Sequence, residues 1–140
     1  MGTKESTLLY RWFDQVWNKN DENAIGLLMT DHADFQGIET KSGTKGAPAF
    51  KLFFQDFTTQ FHNIHIEVEE VISEGEMEAA RTVITAKHAA TGKDVVIPGL
   101  CMVKVESGQI AQAWNSYDFL SMHQQLGGKL VSATDSQFQQ

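Results

Sequence analysis

Residues 48–68 read PAFKLFFQDFTTQFHNIHIEV, and the spacing of the apolar residues changes once within that stretch. Phe50, Phe53, Phe54, Phe57 and Phe61 recur at i, i+3, i+4, i+7 and i+11, so a helix would carry all five rings on one face. Pro48 suits the first turn of that helix, where a backbone N–H has no partner to lose. After Asn63 the period shifts from about 3.6 residues to about 2. Ile64, Ile66 and Val68 then alternate with His65, Glu67 and Glu69, giving a strand with one apolar and one wet face. A one-sided helix running into a one-sided strand predicts an α+β fold with helices covering one side of a sheet.

Upstream, residues 3–18 predict an amphipathic helix, with Leu9, Phe13 and Val16 on a stripe that Trp17 widens. Asp21 is placed to cap a short second helix carrying Ile25, Leu28 and Met29. Residues 33–38 suggest a strand and residues 39–46 a loop. Downstream, Val71-Ile72 breaks the alternation and suggests a bulge. Turns at Glu74-Gly75-Glu76, Thr91-Gly92-Lys93 and Ser107-Gly108 then separate strands over residues 79–89, 95–105 and 109–117. Pro98-Gly99 interrupts the second of these, and Pro98 asks for an edge position or a bulge. The expectation is three N-terminal helices on a curved four- to five-stranded, mainly antiparallel sheet. Residues 1–128 form a single domain in this reading, and the polar residues 129–140 a flexible tail.

Composition narrows the function. The chain has 140 residues with 18 Asp and Glu against 11 Lys and Arg, a net charge of −7, and no Lys/Arg run. A nucleic-acid partner is disfavoured, because phosphates call for a basic face. The single cysteine, Cys101, excludes an internal disulfide and a four-Cys zinc site, and its apolar neighbours Leu100, Met102 and Val103 suggest a small buried hydrophobe. No apolar run approaches the ~18–20 residues of a membrane span, and no signal-peptide h-region opens the chain, so a cytoplasmic protein is expected. The nine Phe, three Trp and two Tyr cluster in the first helix, the Phe-rich helix and the last strands. As a set they suit either a core or the wall of an apolar pocket.

The ordered set Trp17-Asn18-Lys19-Asn20-Asp21, Thr91-Gly92-Lys93, Pro98-Gly99, Ser107-Gly108-Gln109-Ile110, Trp114-Asn115-Ser116-Tyr117-Asp118 and Gln125-Leu126-Gly127 resembles the SnoaL-like polyketide cyclases of the NTF2-like superfamily. The resemblance spans residues 6–128 and implies a cone, a bent sheet wrapped around helices with a pocket between them. It also implies that Asp118 is the general acid/base of an intramolecular aldol closure that needs no cofactor. A carboxylate in an apolar cavity resists ionisation and can exchange protons near neutral pH. Asp118 equally suits the N-cap of a short helix beginning at Phe119.

Around Asp118 the expected pocket wall comprises Phe13, Trp17, Phe57, Phe61, Met102 and Trp114, with Trp114 and Ser116 assigned to the face of Asp118. His88 is a candidate ligand contact. Arg81 has the opposite parity and either pairs with Asp118 inside or with neighbouring glutamates on the sheet surface. His32, between Asp31 and Asp34, lacks the spacing of a metal site, and no three-ligand set is credible, so no metal is expected. Ile97, Val103 and Val105 are assigned to an outer sheet face that pairs subunits into a homodimer.

Three readings compete, one of them a purely structural dimerisation module. Another is a cofactor-independent cyclase or isomerase on a small hydrophobic carbonyl compound, with Asp118 as proton carrier. The third is a protein that binds such a ligand without turnover.

Overall fold

The computed structural model describes residues 3–38 and 45–128. Most of the expected loop at residues 39–46 and all of the expected tail at residues 129–140 lie outside the described residues.

The first helical stretch is not continuous. A 3₁₀ turn at Lys4–Ser6 precedes helix α1 (Leu8–Trp12), which passes into a π-helical turn at Phe13–Asn18. Trp12, Phe13, Val16 and Trp17 are all buried in the core. Thr7 caps α1 by accepting from the Tyr10 N–H. The Glu78 carboxylate accepts from the N–H groups of Leu8 and Leu9 at 3.3 and 2.8 Å, tying the helix start to the sheet. Helix α2 (Asn23–Leu28) follows, with the Asp21 carboxylate accepting from the Asn23 N–H. Strand β1 (Met29–Gln36) begins four residues before the expected strand and takes Met29 out of the helix.

Helix α3 (Gly46–Gln60) places Phe50 and Phe54 in the core and leaves Phe53 and Phe57 half-buried. Phe61 falls outside it. That residue opens strand β2 (Phe61–Glu74) opposite His88, yet its ring still stacks on Phe57, with centroids 4.7 Å apart. Strands β3 (Met77–His88), β4 (Asp94–Glu106) and β5 (Gln109–Tyr117) complete the sheet, and helix α4 (Phe119–Gln125) follows. The strand order is β1-β5-β4-β3-β2, with β1 parallel to β5 and every other pair antiparallel. Strand β2 slips register twice against β3, between His62 and His65 and between Val68 and Glu70, the second just before the expected Val71-Ile72 position.

Pro98 does not interrupt β4, which stays in register with β3 from Lys104 to Asp94. Its position is explained on the other side. The ladder with β5 begins at Gly99, so the segment before it is an edge. Gln125 covers that edge: its side-chain amide accepts from the Val96 N–H and donates to the Val96 carbonyl, both at 2.8 Å, as a neighbouring strand would.

The sheet's inner face carries Ala80, Thr82, Ile84 and Ala86 from β3 and Val95, Ile97, Cys101 and Val103 from β4, all buried. Alternation therefore puts Arg81, Leu100, Met102, Trp114 and Ser116 on the outer face, because the ladders align them. This corrects the expected parity of β4 and β5. Ile97 and Val103 are core residues at 0% exposure and Val105 packs against the core, while the exposed apolar residues of β4 are Val96, Leu100 and Met102.

Candidate functional site

Between the helices and the inner face of the sheet lies a cavity walled by aromatic rings. Trp12, Phe13 and Trp17 close it from the first helical stretch, Phe50, Phe53 and Phe57 from α3. Ile64, Ile66 and Ile84 form its floor on β2 and β3, and Phe119 approaches from α4. Trp17 is the hub: its indole meets Phe54 at 4.9 Å and, edge to face, Phe57 at 5.6 Å and Phe50 at 6.1 Å between centroids. Its free space is about 40 Å³. That is room for a few water molecules, so an organic ligand enters only if rings turn aside.

The polar side chains facing this space come from β5, at Asn115 and Tyr117. The Asn115 side-chain N–H donates to the Gln36 carbonyl at 2.9 Å, fastening the end of β1 to β5. Gly37 permits the turn there: its φ is +83°, and a Cβ would stand 1.8 Å from the Asn115 carbonyl oxygen. That closure carries Ile38 to the cavity rim. Tyr117 accepts a hydrogen bond from the Thr82 hydroxyl at 3.3 Å. Burial holds its phenol well above the ordinary tyrosine range, with nearby Cys101 adding to the rise and the Thr82 bond opposing it. The phenol is therefore protonated at neutral pH.

The residues singled out by sequence divide into two groups. Phe13, Trp17 and Phe57 line the cavity, and Phe61 stands behind Phe57. His88 lies further out along the same row, its ring 5.2 Å from that of Phe61 and its Nδ1 2.9 Å from the Thr91 hydroxyl. Arg81, Met102 and Trp114 are on the opposite side of the sheet, in open depressions of about 480 and 510 Å³ that share Arg81, Leu100 and Ser116. The guanidinium of Arg81 pairs there with Glu69 at 2.9 Å and with Glu70, which keeps it protonated.

Asp118 follows the last inward residue of β5 and is exposed. It caps α4, accepting from the Ser121 N–H at 2.9 Å, and borders the outer depression. Its carboxylate is thus not in the cavity wall. Sequence reasoning missed Tyr117 and Thr82, although the clear alternation of β3 carries the signal: with Arg81 outward, the ladders turn Thr82, Gly99 and Tyr117 inward.

Among the described residues no three His, Cys, Asp or Glu side chains converge as a metal site, and no helix is long and apolar enough to cross a membrane.

The profile of the SnoaL-like polyketide cyclase family matches residues 7–126. The chain belongs to that family. This SnoaL-like chain shares the fold of several solved structures. A Bacillus cereus protein proposed to be a polyketide cyclase is 26% identical, with a TM-score of 0.75 over 86% of this chain and 78% of the other. IdmH of Streptomyces antibioticus, also proposed to be a polyketide cyclase, is 19% identical, with a TM-score of 0.76 over 89% of this chain and 99% of the other. A Catenulispora acidiphila protein with a ketosteroid isomerase-like fold, solved with trimethylamine, is 15% identical, with a TM-score of 0.77 over 91% and 96%. No curated protein sequence matches the chain.

Proposed function

We propose that this chain admits a small hydrophobic, polyketide-like carbonyl compound to the aromatic cavity and cyclises or isomerises it without a cofactor. The observation that carries the reading is the cavity wall, which is rings and branched aliphatics with Asn115 and Tyr117 as its polar side chains. Tyr117 donates to the substrate carbonyl, and that bond strengthens as charge builds on the oxygen during enolisation. Asp118, the next residue along, carries the proton that moves to or from carbon, releasing the Ser121 N–H to do so. The protein works in the cytoplasm as a homodimer joined through the outer sheet face, where Ile72, Leu100 and Met102 are exposed. Light scattering tests the dimer.

A second reading, ligand binding without turnover, is favoured by one specific observation. The Asp118 carboxylate is exposed and engaged as a cap, and no carboxylate or imidazole lines the cavity among the described residues.

The experiment begins with thermal shift across aromatic ketones and 1,3-diketones, since a ligand of the folded state raises the melting temperature. Turnover of the stabilising compound is then compared in wild type and Asp118→Asn. Asn is as good an N-cap as Asp, so the fold is kept while the charge is lost. The enzyme reading expects turnover to fall about 100-fold or more with binding retained. Equal turnover in both removes Asp118 from the reaction, and binding without turnover in either leaves the binding reading.

A further inference from the structure

Thr82, Gly99 and Tyr117 stand opposite one another on β3, β4 and β5, as a single rung across three strands. A Cβ built on Gly99 would lie 2.1 Å from Cδ1 of Tyr117, so the ring occupies the place where a side chain at position 99 would be. The phenol thereby crosses β4 and reaches β3, where Thr82 donates to its oxygen at 3.3 Å. Thr82 is 0% exposed and is the one fully buried polar side chain among the described residues. A hydroxyl in a sheet core is costly unless bonded, and a valine would fill the same space without that cost. The hydroxyl at position 82 therefore answers to Tyr117.

We infer that this rung is a positioning device for the Tyr117 hydroxyl: Gly99 makes room for the ring, and Thr82 fills the acceptor side of the phenol oxygen. With Thr82 as the donor, the phenolic proton is left for a ligand oxygen in the cavity that Tyr117 lines. The inference rests on the reading of Tyr117 as the carbonyl donor proposed above, and it narrows the ligand class. A phenol that accepts one hydrogen bond donates the next more strongly. The device favours ketones and enones, whose oxygen gains negative charge, over alcohols or ethers of the same shape. Thr82 is a positioning residue, since it acts only through Tyr117. Two other titratable groups are near the ring. Cys101, inward on β4, is pushed up to about 12 by burial and stays neutral, and Asp118 is turned to the Ser121 N–H.

Two measurements test the device separately from the function it serves. In a Tyr10→Phe background Tyr117 is the only tyrosine. Biosynthetic replacement by a fluorinated tyrosine, which ionises at lower pH, lets fluorine NMR follow the phenol while the protein is folded. Thr82→Val raises the midpoint by about one pH unit because the phenolate loses a donor, and Thr82→Ser brings it back. A midpoint that ignores Thr82→Val, or that Thr82→Ser fails to restore, overturns the role of Thr82. The second measurement follows carbonyl-labelled acetophenone by carbon NMR. Its carbonyl resonance moves on binding, loses that movement in Tyr117→Phe, and loses part of it in Thr82→Val. A ketone that does not bind, or whose carbonyl ignores Tyr117→Phe, overturns the donor reading and the device with it. An intact response to Tyr117→Phe with none to Thr82→Val overturns Thr82 alone.

Discussion

Replacing Gly99 with alanine adds one methyl group at the most constrained point of the inner face. The φ of Gly99 is outside the left-handed region, so alanine meets no backbone strain and the effect is purely steric. The methyl carbon would stand 2.1 Å from Tyr117 Cδ1, while ordinary contact begins at 3.4 Å, so the ring must retreat by at least 1.3 Å (3.4 minus 2.1). Such a retreat breaks a Thr82 bond that already spans 3.3 Å and pushes the ring towards a free space of only about 40 Å³. Overpacking of this kind costs about 1–3 kcal/mol and the buried hydrogen bond about 1 more, for a total of about 2–4 kcal/mol. For a domain of this size that lowers the melting temperature by about 6–15 °C. Circular dichroism reads the melt, and a double-mutant cycle isolates the contact. In a Tyr117→Ala background Gly99→Ala meets empty space and should cost almost nothing. Equal costs in the two backgrounds, within about 0.5 kcal/mol, would refute the steric argument.

Two further outcomes are expected. Gln125→Met keeps the length of the side chain but removes both bonds to Val96; it should cost about 1–3 kcal/mol in urea unfolding and raise the tendency to aggregate. An unchanged midpoint would mean that water replaces the amide without loss. The second concerns alkaline pH. Burial raises the Cys101 thiol from 9.0 to about 12, so above pH 9 the folded chain retains a proton that the unfolded chain has lost. Stability then falls as pH rises, by up to about 1.4 kcal/mol per unit for this group, and Tyr117 adds a loss of the same sign. Cys101→Ala should flatten part of that slope, and a stability constant between pH 9 and 11 would contradict the burial of the thiol.

The parts of the fold that announce themselves in sequence are those with a single apolar face. Helix α3 and strand β2 are of this kind, and the change of period after Asn63 falls three residues past their boundary at Gln60/Phe61, since Phe61 continues the helical spacing into the first strand position. Strand β4 is the opposite case. Val95 and Val96 are apolar neighbours, as are Leu100, Cys101, Met102 and Val103, so alternation alone does not say which face is inside. A slip of one residue exchanges the two faces completely. That is how Met102 and Trp114 are expected in the cavity and Ile97 and Val103 outside it. Strand β3 resolves the ambiguity, because Arg81, Thr85 and Lys87 alternate with Ala80, Thr82, Ile84 and Ala86, and the tight turn after His88 passes that parity on by setting Ala86 opposite Val95. Two features have no local signal. The parallel pairing of β1 with β5 joins residues about eighty positions apart, and nothing in the spacing of residues 13–18 marks the π-helical turn. The candidate site is legible in its rings, since Phe13, Trp17 and Phe57 line the cavity. Its polar group is hidden by the same parity slip, which turns Tyr117 away and brings Asp118 in.

The amide clasp of Gln125 on Val96 has a consequence for how the chain is made. Residues 94–98 are rich in β-branched side chains and present a bare strand edge until α4 is in place. Synthesis from the N-terminus delivers the whole sheet before it delivers Gln125. A nascent chain that has just completed β5 therefore emerges with an open hydrophobic seam, available to any other extended segment nearby. The closing of that seam by one side-chain amide makes the last helix a guard against mispairing during biogenesis, a duty separate from anything that happens in the cavity.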